Sequence, residues 1–163
     1  MRPDFIYIVR STWALAKPNA EAIGLGFYRR LFELDPVLRI LFPADLRGQT
    51  EKLMQILGVA VASLDRLETI TPALELLGRR HVDYGVQDTH YDTVGRALLD
   101  ALASAFGQAF TDDVKQAWAE TYVILAGVMR RAGAEAAAER RDSDQRAAAF
   151  LLHSHSSLQA GMA

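Results

Sequence analysis

Apolar residues recur at three- and four-residue intervals along almost the whole chain, in segments closed by proline or glycine, and no stretch alternates long enough to make a strand. A chain patterned this way is restricted to an all-α fold, here of seven or eight helices. The chain has 163 residues, half of them hydrophobic, so these helices must share one core in a single domain. We take residues 1–140 as that domain and residues 141–163 as a weakly packed or disordered tail. There the alanine and charge content still favours helix while the apolar stripe thins.

The punctuation places the individual helices. Pro3 suits a first helical turn, and Ile6, Val9 and Trp13 continue at helical spacing to about Ala16, where Pro18-Asn19 breaks the chain. The next helix carries Gly24, Tyr28, Leu31 and Phe32 and ends near Asp35, because the residue before Pro36 is pushed out of the helical region. After a short turn through Phe42-Pro43 and a polar loop, Gln49, Leu53, Leu57, Ala60 and Leu64 form one stripe with a polar member at its start. Thr71-Pro72 opens a further helix as cap and first residue. Leu74, Leu77, His81 and Tyr84 share its inner face until Gly85 stops it. Asp88 or Thr89 caps the helix of Tyr91, Val94, Leu98, Leu102 and Phe106, which Gly107 ends. Thr111-Asp112 starts one bearing Val114, Trp118, Tyr122, Leu125 and Met129.

Three polar residues stand on these apolar faces. His81 lies one turn past Leu77, whose carbonyl can accept the proton of one ring nitrogen and leave the other to bind a metal, which makes His81 a candidate iron ligand. Tyr28 and Gln49 are the other two. A buried phenol or amide without a partner costs about 1 to 3 kcal/mol. A partly charged bound ligand would supply that partner. Taken singly, each residue also fits a plainer role: a satisfied core histidine, a tyrosine reaching solvent, a solvated glutamine of a first turn.

Several classes are excluded or given no function. A net charge of -2 offers no basic face for nucleic acid, and no apolar run approaches the length of a membrane span or a signal peptide. The absence of cysteine removes disulfides, thiolate ligands and a Cys-x-x-Cys-His attachment site, and fits a reducing cytoplasm. Gly24-Leu-Gly26 is no dinucleotide fingerprint, since it lies within a helix. His153-Ser-His155 falls in a serine-rich end and is assigned no function, and His90 is expected at the surface.

Read together, the stretch Phe27 to Phe42, then Gln49-Thr-Glu-Lys-Leu53, Leu77 to Tyr91 and Val94-Gly95 resemble the bacterial single-domain globins and the globin domains of flavohaemoglobins. Leu77-Gly-Arg-Arg-His81 carries a fainter likeness to neuroglobin. The resemblance spans about Trp13 to Met129. It implies haem, which without cysteine would be haem b. By the same resemblance His81 matches the proximal iron ligand, Phe42 the phenylalanine packed on the porphyrin, and Pro36 the proline opening the short third helix. Tyr28, Gln49 and Leu53 match the distal, ligand-facing residues. Leu77, Val86, Tyr91, Val94 and Leu98 are expected around the haem, Lys52 near a propionate, and Gly24 where the second and fifth helices of that family cross.

The implied function is reversible, high-affinity binding of O2, with NO and CO as further ligands, by a monomer or weak homodimer. The alternative is an NO dioxygenase drawing on an external reductase, since no flavin or nicotinamide domain follows. A gas or redox sensor would need an output surface, for which Phe150, Leu151 and Leu152 make only a small patch. A helical module without haem would have an apolar residue at position 81. One departure bears on chemistry. Flavohaemoglobins carry a glutamate eleven residues after the tyrosine matched by Tyr122, joined to the proximal histidine and to the tyrosine matched by Tyr91. Here that position is Gly133, and Glu135 lies about 200° further around a helix. The resemblance therefore implies a less anionic His81 and disfavours peroxidase chemistry more than oxygen binding.

Overall fold

The computed structural model describes the backbone of residues 1–160 and the side chains of residues 1–151. Six α-helices carry it: α1 (Pro3–Ala16), α2 (Ala20–Leu34), α3 (Arg47–Ala62), α4 (Thr71–Asp83), α5 (Asp88–Phe106) and α6 (Asp112–Ala160). The lower count than the seven or eight expected has a simple cause. The short connecting pieces at 17–19, 36–41, 67–69 and 107–109 close as 3-10 turns, too brief to add α-helices, and the helix-favouring segment after Ala132 continues α6 instead of forming a helix of its own. Among the described residues there is no strand, and no helix is long and apolar enough to cross a membrane.

The core is built by α1, α2, α5 and the first half of α6. Val9, Leu31, Leu102 and Trp118 are almost completely buried there. Trp118 Nε1 donates to the hydroxyl of Thr12 at 2.9 Å, and that hydroxyl donates to the Ile8 carbonyl at 2.8 Å, so the largest core side chain is fully satisfied. Close backbone approach fixes two further crossings. A Cβ on Gly24 of α2 would strike the Thr50 methyl of α3 and lie 3.4 Å from Met54 Cγ. The crossing expected at Gly24 is thus that of α2 with α3. On the other side α4 packs chiefly on α6. A Cβ on Gly78 would lie 2.7 Å from the Met129 Cα, and one on Gly133 only 3.2 Å from the Gly78 carbonyl.

Three local expectations are corrected. Thr71 does not cap α4: Ile70 holds the cap position, and the Thr71 hydroxyl donates to the Leu67 carbonyl at 2.9 Å. Tyr84 is not on the inner face. The helix ends at Asp83, and the chain then turns through Gly85 at φ +83°, which swings the Tyr84 ring out to 63% exposure. Neither Asp88 nor Thr89 caps α5. Gln87 does, its backbone N–H donating to His90 Nδ1 at 3.0 Å, so His90 is a half-buried capping residue more than a free surface one.

Beyond the core α6 continues as helix, and every described residue from 138 to 151 is exposed. Its first part still holds α4. Arg79 makes two 2.9 Å hydrogen bonds to the Glu139 carboxylate, and Arg140 pairs with Asp83. The side chains of Leu152, His153 and His155 lie outside the described residues.

Candidate functional site

The site is assembled from two groups of side chains. The first lies where α2 meets α3. Tyr28 faces inward because it shares a face of α2 with Gly24 and Leu31, and it is 3% exposed. Its ring meets Phe42 edge-on at 5.4 Å and Phe32 at 6.1 Å. Phe42 is held at the end of its 3-10 turn because Arg39 donates to the carbonyls of Phe42, Pro43 and Ala44 and so pins the loop that follows. The Tyr28 hydroxyl donates to the backbone carbonyl of Gln49 at 3.5 Å, the long limit for such a bond. Burial pushes its pKa up to about 12, and the Gln49 side chain, not the backbone carbonyl, offsets part of that rise. The phenol is therefore a neutral donor that is only weakly engaged.

Gln49 and Leu53 are half-buried one turn apart on α3, while Lys52 is exposed. Leu53, Phe42, Val94 and Leu98 join the same apolar cluster as Tyr28.

The second group lies on α4, α5 and the loop between them. His81 Nδ1 is 2.8 Å from the Leu77 carbonyl. A carbonyl only accepts, so Nδ1 carries the proton and Nε2 keeps its lone pair, with no hydrogen-bond partner among the described residues. Burial lowers the His81 pKa below its ordinary 6.5, the Leu77 bond opposing in part, so the ring is neutral at pH 7. The Val86 N–H donates to the His81 carbonyl at 2.9 Å and fixes the loop beside it. Tyr91 stacks on the His81 ring, with centroids 6.1 Å apart and planes 21° from parallel. The Tyr122 hydroxyl donates to the Tyr91 carbonyl at 2.5 Å.

These features fit a haem. A neutral imidazole with one free lone pair is the donor iron requires. Leu77 and Val86 are half-buried, yet among the described residues they pack into neither apolar cluster. A cavity of about 270 Å³ opens between α3 and α4, lined among others by Gln55, Ile56, Val59, Leu76, Leu77 and Arg80, and of the candidate site residues only Leu77 borders it.

The globin family profile matches residues 25–129. The chain belongs to the globin family. A haem cofactor and diatomic gas ligands follow from that membership. This globin is 34% identical over 143 residues to neuroglobin of Danio rerio, covering 78% of the chain and 89% of the relative. It is 33% identical over 148 residues to a flavohemoprotein of Bordetella parapertussis, covering 87% of the chain but 37% of that relative. Among solved structures it superposes with a TM-score of 0.79 on an engineered carbene transferase derived from a candidate nitric oxide dioxygenase of Rhodothermus marinus. Identity there is 28%, with 86% of the chain and 99% of that chain covered. A bacterial globin of Campylobacter jejuni superposes at 0.74 with 21% identity, over 82% of the chain and 97% of that one, and shares the fold.

Two residues of this globin's site escaped the sequence reading. Thr50 is 1% exposed beside Gly24, and its hydroxyl has no hydrogen-bond partner among the described residues. Arg130 lies over the Tyr91 ring, 5.3 Å from its centroid. Asp88 and Asp92, four residues apart at the start of α5, were the signal that a cation packs there.

Proposed function

We propose that this globin holds haem b through His81 Nε2 and binds a diatomic gas, dioxygen foremost, tightly and reversibly between Tyr28 and Gln49. Haem, when bound, supplies an iron that takes up the gas. The chain supplies the rest. The carrying observation is the His81 ring, whose proton is committed to the Leu77 carbonyl and whose Nε2 lone pair is unclaimed among the described residues. Phe42, Leu53, Leu77, Val86, Val94 and Leu98 exclude water from the ring faces, Tyr91 orients the imidazole, and exposed Lys52 reaches for a propionate. Tyr28 O–H and the Gln49 amide N–H donate to the bound gas.

The distal role has a direct test. Hydrogen bonds to a partly charged acceptor contribute about 1.5 to 3 kcal/mol each. Tyr28→Phe is therefore expected to speed O2 dissociation at least about tenfold, read by stopped-flow displacement with CO. An unchanged off-rate removes Tyr28 from the ligand site.

A second reading is favoured by the flavohemoprotein relatives and by the Rhodothermus marinus neighbour. In it the same pocket is a dioxygenase site where NO and O2 combine to nitrate with uptake of one electron from a separate reductase. Nitrate formation that continues over many equivalents with reductase supplied supports this reading. Formation that stops at one equivalent leaves a gas binder.

A further inference from the structure

We propose that Gly24 is a positioning residue for the gas site: by letting α2 and α3 touch at Thr50, it sets the reach of the Tyr28 hydroxyl across to α3 and with it the rate at which a bound gas escapes. This rests on the reading of Tyr28 as a donor to the ligand. The contact leaves no space for a side chain. A Cβ on Gly24 would overlap Thr50 Cγ2, far inside the roughly 3.5 to 4.0 Å at which two carbons pack. Thr50 is 1% exposed and β-branched, so its methyl is held by a stiff χ1 in a filled space and cannot swing aside as the end of a long side chain could. A side chain at position 24 must therefore part the two helices, by on the order of 1 Å.

The two residues of the proposed grip flank this contact. Tyr28 lies one turn after Gly24 on the same face of α2, about 6 Å along the axis, and Gln49 is the neighbour of Thr50 on α3. So close to the crossing, a separation at Gly24 reaches Tyr28 almost undiminished. The hydroxyl has no slack to absorb it. Its bond to the Gln49 carbonyl is 3.5 Å long, and the ring is fixed on its other sides by Phe27, Phe32 and Phe42. The spacing is local to position 24, because a Cβ on Gly26 of the same helix would have nothing within 4 Å. A donor displaced by ~1 Å loses most of its hydrogen bond, and a misplacement of that size at a reacting centre costs up to about 100-fold.

The test is made on the holoprotein and reads O2 dissociation together with the C–O stretch of the ferrous CO complex, which shifts with hydrogen bonding to the ligand. Gly24→Ala is expected to speed O2 dissociation at least about tenfold and to move the stretch toward that of Tyr28→Phe. Two comparisons separate positioning from loosened packing. In a Tyr28→Phe background Gly24→Ala should lose most of its effect, because the group it displaces is gone. Thr50→Ser removes the methyl that the new Cβ overlaps, so Gly24→Ala combined with Thr50→Ser should recover at least half of the shift in both readings. Gly26→Ala should match the wild type. If Gly24→Ala does not fold, Thr50→Leu opens the same crossing from α3, with better helix propensity and without a buried unpartnered hydroxyl, and is expected to give the same acceleration. An unchanged off-rate and stretch in whichever variant folds overturn the proposal, as does an acceleration that persists in full beside Tyr28→Phe. Failure of the underlying reading looks different: Tyr28→Phe by itself would then leave O2 dissociation unchanged.

Discussion

His81→Ala is expected to abolish stable haem capture, with hemin affinity falling on the order of 100-fold or more, since losing even an outer partner of a ligating histidine costs 10- to 100-fold. The argument is specific to this ring. Its proton is fixed on Nδ1 by a backbone carbonyl that no substitution at Leu77 can remove, so the tautomer is set by the helix itself. Burial keeps the ring neutral and able to donate at pH 7. Alanine is a good helix former at a half-buried position, so α4 should persist and the apoprotein should keep its far-ultraviolet circular dichroism. Titration with hemin at the Soret band reads the loss, and imidazole added to His81→Gly is expected to restore a six- or five-coordinate spectrum. Wild-type hemin affinity in His81→Ala would falsify the assignment.

Gly78→Val should be the most destabilising change in the proximal half. A Cβ at Gly78 meets the backbone of Met129, with its Cα at 2.7 Å, and backbone cannot rotate aside as a side chain can. Overpacking costs about 1 to 3 kcal/mol where repacking is possible. Where two helices must separate instead, we expect about 3 kcal/mol, or a melting temperature lower by roughly 6 to 12 °C for a chain of this size. Gly127→Ala is the matched control. Nothing lies within 4 Å of a Cβ there, so the gain in helix propensity, up to about 1 kcal/mol, should appear unopposed. Urea unfolding of both variants decides the matter, and a neutral Gly78→Val would mean that the α4–α6 crossing is looser than described.

Helix limits were legible wherever a breaker acts locally. Pro3, Pro36, Gly85 and Gly107 end or begin elements where the sequence puts them, because φ restriction and φ permission are properties of single residues. Caps were less legible. Thr71 and Asp88 have the right chemistry at nearly the right place, yet Ile70 and Gln87 take the cap positions, the latter because the His90 ring satisfies its N–H. Tyr84 was misplaced because helical spacing was extended past the residue where the helix stops. His81, Tyr28 and Gln49 stood out in the sequence as polar exceptions on apolar stripes, whereas Phe42, Lys52, Leu53, Leu77, Val86, Tyr91, Val94 and Leu98 were named only through the family resemblance, because apolar wall residues look like any other core residue. Gly78 and Gly133 could not be read as a contact, and Arg130 could not be read as a neighbour of Tyr91. Both depend on how α6 lies across α4 and α5, which no local pattern encodes.

The long bond from Tyr28 to the Gln49 carbonyl gives the phenol a resting acceptor before any gas arrives. Under the proposed distal role of Tyr28, ligand capture is an exchange of acceptors, and only the difference between the two bonds enters the affinity. Weakness of the first is what makes the second count. In that role the hydroxyl, already buried, needs no turn away from solvent when a ligand enters, so the tyrosine should slow escape more than it slows arrival.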